Sequence, residues 1–422
     1  MGFNLLGPLD STIGLANATR NTAALLASGD HPLSVFDCAD SLHPLGHPHG
    51  FEQLSMGPQA TLPYAIDIVH LEPNIFEARL MTDWATRPFA KRLNALVPFW
   101  ELSKFPEPWV ESLSSVDFVL APTRHIESVV ASAAPDVPII HYPQSVTIPD
   151  GVVANRSRWG LGPDETVFLT SFDALSDVER KNPLASINAF RSAFPEDPGA
   201  RLIVRIKNAE VDPRYAPALE RVRAAMLGDP RISLVTDALA HSDALELYAS
   251  VDVLVSLHRA EGLGLILMES MRLGTPVIAT GWSGNMDFMT QSNSALVGYH
   301  LVPAVGTSDY YQPEYMGQGA QWAEPNLDEA AAWMRRLRDD PHLLRDMGAR
   351  ALADTEAREN PILRLRPFEE LAEFYRSSRL ADPRHEMSAR FIRRTQRRRA
   401  LNLLKDPVAL AQGVARRLGM KG

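Results

Sequence analysis

Two glutamates eight positions apart frame a glycine pair, Glu261-Gly262-Leu263-Gly264 running on to Glu269. A carboxylate accepts hydrogen bonds from vicinal hydroxyls and is repelled by a phosphate, so both glutamates suit sugar hydroxyls on either side of a phosphate. Glycine allows close backbone approach, and the first amides of a helix lack partners at the positive end of its dipole. The amides around Gly262 to Leu265 are therefore suited to an anion, with a diphosphate as the natural guest. A second stretch, Asp177 to Pro183, sets Arg180 and Lys181 beside a helix start. Folded over a cleft, Lys181 would neutralise charge on a departing diphosphate. Arg180, or Lys207 after the apolar run Leu202 to Ile206, would supply a second cation. Gly281 to Asn285 reads as another strand-to-loop turn, whose amides, with Gly284 and Asn285, suit sugar hydroxyls.

The elements that must position these groups are legible from apolar runs. Val251 to Leu257 reads as a parallel strand buried on both faces. Leu265 to Leu273 reads as a buried helix closed by Gly274, and Pro276 to Thr280 as the next strand. The first half repeats the scheme with a strand at Phe3 to Gly7, a helix over 16–27, and strands at Ser34 to Asp37 and Tyr64 to Val69. The last of these ends at His70, and ligands of open α/β sheets sit at the carboxyl ends of strands. His70 is thus a candidate contact to a bound sugar, or else a hydrogen-bonded structural histidine. Pro138 to Pro143 closes the first half, the boundary falls near 150–163, and Thr166 to Asp173 opens the second. Helices are expected at 327–337, 341–352 and 367–380. The division is 1–155, 156–366 and a C-terminal part, 367–422.

The Glu-x7-Glu spacing around the glycine pair resembles the signature of the retaining glycosyltransferase group 1 family. That resemblance implies a GT-B architecture, two Rossmann-like domains facing each other across a cleft with C-terminal helices crossing back. It implies that Glu261 contacts the transferred sugar, Glu269 the nucleotide ribose, and Gly262 to Gly264 the diphosphate. Arg180-Lys181-Asn182-Pro183 is similar to the family's phosphate-binding lysine loop, and the glycine turn at 284 to its donor-sugar turn. An N-domain histidine at a strand end often contacts the sugar there, the role His70 would take. The candidate catalytic groups are Glu261, Lys181 and His70. One departure is Thr170-Ser171-Phe172, where many relatives carry an arginine. Trp100-Glu101-Leu-x-x-Phe105-Pro106 resembles a subset of bacterial members. Trp100 and Trp109 are expected to pack beneath the cleft, with Glu101 and Arg124 as candidate acceptor-side groups. The implied activity moves a sugar from a nucleotide-diphosphate donor to a glycan or lipid-linked acceptor. An epimerase or hydrolase of the same fold, or a non-catalytic nucleotide-sugar-binding partner in polysaccharide assembly, are the alternatives.

Length and composition bound the rest. At 422 residues, 45% hydrophobic and 22% charged, the chain suits two soluble domains, and no apolar run reaches the ~18 residues of a membrane span. The start has no basic region or long apolar core, so no secretory leader is expected. The single cysteine, Cys38, fits a reducing cytoplasm. Residues 384–422 hold eleven Lys/Arg and two acids, a net +9 against −9 for the whole chain, leaving −18 on residues 1–383. Such a tail suits an anionic membrane surface carrying a lipid-linked acceptor, a domain-packing helix or another partner; no nucleic acid is expected. His43, His47 and His49 share a loop without an evident fourth ligand. No Asp-x-Asp element follows a strand, so no metal or cofactor is expected.

Overall fold

The computed structural model describes residues 1–378 except 12, 39–49, 56–61, 74, 77–91, 114–115, 210–211, 307–310 and 312–318. The histidines at 43, 47 and 49 and the basic tail therefore lie outside the described residues.

Two six-stranded parallel sheets form the frame. The first contains β1 (Phe3–Gly7), β2 (Leu33–Asp37), β3 (Ile66–Val69), β4 (Leu93–Leu96), β5 (Phe118–Ala121) and β6 (Ile139–His141), in the order β2-β1-β3-β4-β5-β6. The second contains β7 (Thr166–Asp173), β8 (Ala200–Lys207), β9 (Ile232–Val235), β10 (Val253–Ser256), β11 (Val277–Thr280) and β12 (Ala295–Val297), in the order β12-β11-β10-β7-β8-β9. In each sheet the strand order reverses once, between β1 and β3 and between β10 and β7. A crevice opens at such a reversal, because the loops leaving the two strands turn to opposite faces. This is the two-domain α/β GT-B arrangement expected from the sequence.

Helices cover both sheets, and local chemistry sets their ends. The helices are α1 (Gly14–Ser28), α2 (Glu107–Leu113), α3 (Arg124–Ala133), α4 (Val178–Lys181), α5 (Pro183–Ala193), α6 (Ala216–Met226), α7 (His241–Ser250), α8 (Leu265–Arg272), α9 (Leu327–Asp339), α10 (Pro341–Ala357) and α11 (Pro361–Ser378). The Thr123 hydroxyl caps α3 by accepting from the Ile126 amide, and Asn326 and Asp340 cap α9 and α10 in the same way. The last helix begins earlier than the sequence suggests. Asn360 accepts from the Ile362 amide with Pro361 at the first helical position, so Pro367 lies inside the helix and the 366/367 boundary cuts through it.

Helix α11 returns to the first domain. Phe368, Leu371, Ala372 and Tyr375 join the core formed by Phe3, Leu5, Ile66 and Leu93. Phe368 is fully buried, edge-on to Phe3 at 5.7 Å and to Tyr142 at 5.0 Å between ring centroids.

A hairpin of β13 (Tyr299–Pro303) and β14 (Gln321–Pro325), not anticipated from the sequence, reaches from the second domain to the first. The Ser103 amide donates to the Gln321 carbonyl at 3.2 Å, and the Gln321 amide donates to the Ser103 hydroxyl at 2.9 Å. Beneath it, Ala260, Ala304, Tyr311 and Trp322 share one apolar cluster with Trp100, Phe105 and Trp109. Trp100 and Trp109 are buried with centroids 4.9 Å apart.

One row of the first sheet is polar. Ser34, Asn4, Asp67 and Asn94 are register partners across β2, β1, β3 and β4. The Ser34 hydroxyl donates to Asn4 Oδ1 at 2.7 Å, Asn4 Nδ2 donates to Asp67 Oδ1 at 2.6 Å, and Arg92 Nε donates to Asp67 Oδ2 at 2.8 Å.

Replacing Phe368 with alanine removes a ring from the core of the first domain, at a cost of about 3–5 kcal/mol. Chemical denaturation of the Phe368→Ala chain should lower the midpoint of the first-domain transition. That of the second domain should stay where it is.

Candidate functional site

Strand β10 ends at Ser256, and the chain passes through buried His258, Ala260 and Glu261 before Gly264 starts α8. Gly264 has φ +92°, a left-handed conformation that glycine adopts without strain. Leu263 anchors the turn in the core with Leu267 and Met268. A second turn after β11 crosses it: the Gly284 amide donates to the Glu261 carbonyl at 2.8 Å, and a Cβ at Gly284 would lie 2.2 Å from the Gly262 carbonyl oxygen. No side chain fits there. The Ser283 hydroxyl accepts from the Glu261 amide at 2.8 Å. From the first domain, the Thr123 hydroxyl donates to the Gly262 carbonyl at 3.1 Å.

The lysine loop follows β7, so it and the glutamate turn leave the two strands flanking the reversal in the second sheet. Asp177 caps α4 by accepting from the Arg180 amide at 3.1 Å, and Asn182 ends it at φ +51° ahead of Pro183. The short helix delivers both cations to Glu261. Lys181 Nζ pairs with Glu261 Oε1; Arg180 Nη1 donates to the Ala260 carbonyl at 2.8 Å and reaches Glu261 Oε2 at 3.4 Å. Burial alone would raise the Glu261 pKa, but the charges of Lys181 and Arg180 outweigh it and bring it down to about 2. Burial is also the larger influence on Lys181, lowering its pKa despite the neighbouring carboxylate. Arg180 continues across the interface to Glu101, with Nη2 3.6 Å from Oε1, while the Tyr311 hydroxyl donates to Glu101 Oε2 at 2.7 Å.

Glu269 faces a different set of groups. Arg205, Lys207, Tyr248 and Asp173 surround its side of the sheet, and His241 Nε2 lies 3.6 Å from its Oε1. Burial raises its pKa to about 7, against the lowering influence of Lys207 and Arg205. Lys207 Nζ is 3.9 Å from Asp173 Oδ2, and burial lowers its pKa. Arg205 is an arginine that sequence reasoning missed. It is the register partner of Ser171 on β7, the strand end that lacks the relatives' arginine, and Nη1 donates to the Ser171 and Tyr248 hydroxyls at 3.2 Å each. A single arginine inside the apolar run Leu202 to Ile206 was the available signal.

The other sequence candidates fall in different places. His70 is fully buried at the end of β3, with Nε2 3.1 Å from the Thr22 hydroxyl and the ring 6.4 Å from that of Phe99. Burial lowers its pKa to about 3, so it is a neutral imidazole. Asn285 does not present its amide to a cleft: Nδ2 donates to the Thr280 carbonyl at 3.0 Å, and Oδ1 lies 3.3 Å from His258 Nε2. It is buried scaffolding for the Gly284 turn, because the loop folds its side chain back beneath β11. The Arg124 guanidinium is at the surface, paired with Glu127 at 2.6 Å. Glu101 and Tyr311 enter from sequence distances that no local pattern bridges. Among the described residues, no group of three or more His, Cys, Asp or Glu is arranged to hold a metal ion, and no helix is long and apolar enough to cross a membrane.

Residues 180–305, which contain both turns and the cation pair, match the family model described as glycosyl transferases group 1. No curated protein matches the chain significantly. Among solved structures, Anabaena HepE in complex with UDP and glucose has a TM-score of 0.62 at 15% identity, covering 88% of this chain and 100% of that one. Sucrose-phosphate synthase from Thermosynechococcus elongatus also has a TM-score of 0.62 at 15% identity, over 90% of this chain and 100% of that one. The α,α-trehalose-phosphate synthase (UDP-forming) from Burkholderia vietnamiensis has 0.59 at 11%, over 88% and 100%.

A carboxyl group whose folded pKa is raised adds stability below the ordinary carboxylate range and loses it as pH climbs through the folded value, here about 7. Urea denaturation at pH 5 and pH 8 should therefore show a larger fall in stability for the unaltered chain than for Glu269→Gln. Parallel falls would overturn the assignment of that pH dependence to Glu269.

Proposed function

From a chain that carries a group 1 glycosyltransferase domain on a GT-B frame, we infer retaining transfer of a sugar from a nucleotide diphosphate to a glycan or lipid-linked acceptor. The observation that carries the reading is the buried Glu261 carboxylate, held ionised between Arg180 and Lys181 over the glycine turn. An ionised carboxylate accepts hydrogen bonds from sugar hydroxyls, and a lysine beside it meets the diphosphate. Charge grows on that diphosphate as the glycosidic bond breaks, so a lysine set beforehand lowers the barrier more than it tightens donor binding. In this reading the α8 amides take the phosphates, Glu269 the ribose, and Arg205 with Lys207 the remaining negative potential. His70 meets the transferred sugar from the first domain with a neutral ring. Backbone dipole and cations serve in place of a metal ion.

Two structural neighbours, one with UDP and glucose bound and one UDP-forming, favour a uridine donor. The basic residues 384–422 favour an acceptor presented at an anionic membrane surface, and polysaccharide assembly as the setting.

A thermal-shift panel of nucleotide sugars should give the largest stabilisation with the true donor, through mass action. Nucleoside diphosphate release should require an acceptor, and the anomeric configuration, read by NMR, should be kept. Release without an acceptor would point to hydrolysis instead. Lys181→Ala should lower kcat by about 100- to 1000-fold with a smaller change in donor KM. An unchanged kcat would remove Lys181 from the chemistry.

A further inference from the structure

The glycine turn that crosses Gly262 ends in Asp287, and that carboxylate leaves its own domain. Both its oxygens accept from the backbone amide of Arg124, at 2.9 Å to Oδ1 and 3.1 Å to Oδ2. Arg124 opens α3 in the first domain, so a carboxylate of the second domain sits on the positive end of a first-domain helix. His141 Nε2, at the end of β6, lies 3.1 Å from Asp287 Oδ2, and the Asp287 side chain is only 5% exposed. The turn is also held from behind, where Arg358 Nη1 donates to the Asp287 carbonyl at 2.9 Å. Next to this contact, Thr123 grips the Gly262 carbonyl across the same interface.

We infer that Asp287 is a positioning residue: an interdomain clasp on the α3 terminus through which domain closure sets the Gly284 turn against Glu261 and Gly262. A buried carboxylate without its donors is costly, and the amide it uses belongs to a helix terminus with no intrahelical partner. Separating the domains breaks the Arg124 and His141 contacts together, so the Asp287 end of the turn loses its first-domain hold and keeps only that of Arg358. The link to sugar positioning rests on the proposed glycosyl transfer; the clasp itself does not.

The contact can be removed without touching a side chain that makes it. Arg124 is the first residue of α3, where proline is well tolerated, and Thr123 before it has the extended backbone (φ −142°, ψ 159°) that a following proline requires. Arg124→Pro deletes the donor amide, whereas Arg124→Ala keeps it and removes only the surface guanidinium. X-ray scattering of the full chain should give Arg124→Ala the radius of gyration of the unaltered protein and Arg124→Pro a larger one. Asp287→Asn, which keeps an acceptor, should match the unaltered protein, while Asp287→Ala, which also loses His141, should expand at least as far as Arg124→Pro. The double variant should expand no further than Asp287→Ala alone. Equal radii for Arg124→Pro and Arg124→Ala would overturn the clasp, and this comparison decides even if Asp287→Ala fails to fold. Titration with UDP separates the two levels: an unaltered chain that ignores UDP sinks the uridine-donor reading and leaves the scattering result in place.

Discussion

A guanidinium cannot shed its charge, so once buried it must be met on several sides. Arg180 is 4% exposed, and it is met by Ala260 and Glu261 from the second domain and by Glu101 from the first. Its plane also lies 5.8 Å from the centre of the Tyr311 ring. These groups belong to three segments besides its own, which gives the burial of this one side chain its reach. The glutamate turn, the Trp100 segment and the loop carrying Tyr311 are each brought to the lysine loop by the groups that meet Arg180. Glu261 inherits its ionised state from the same arrangement.

Around that constraint the second domain presents two carboxylates in contrasting conditions. Glu261 lies between cations and stays charged, whereas Glu269 is buried with cations farther away and is half neutral near pH 7. The same residue type therefore offers an acceptor on one side of the α8 terminus and a titrating group on the other. The glycine turns fix the backbone on the Glu261 side. With no room for a Cβ at Gly284, the backbones of the two turns touch, and the amide of one closes on the carbonyl of the other.

Much of this was legible in the sequence because it is local. Apolar runs located β7, β8, β10 and β11 of the second sheet, Gly264 and Gly274 marked the ends of α8, and Asp177 with Pro183 bracketed the cation pair. The cation loop and the glycine turn were each legible as phosphate-side elements, whereas the pairing of Lys181 and Arg180 with Glu261 appears only in the fold. What was not legible depends on contacts between distant segments. Tyr311 looks like one aromatic among several in a loop, and its bond to Glu101 spans 210 positions. Arg205 comes beside Ser171 from the adjacent strand, a juxtaposition visible only once β7 and β8 are in register. Asn285 has the polarity of a ligand group, but the fold turns it inward. The hairpin of β13 and β14 escaped because its strands are separated by a long connection instead of a short turn.

The polar row in the first sheet bears on how that sheet finds its pairing. When both faces of a parallel sheet are covered, nearly every strand residue is apolar, and sliding one strand past another exchanges one greasy contact for another. Ser34, Asn4, Asp67 and Asn94 break that degeneracy, since any slip leaves amides and a carboxylate facing aliphatic carbon. The row acts as a vernier for assembly, trading some apolar burial for a single readable alignment. The β3 terminus, and His70 with it, is held in line by that alignment.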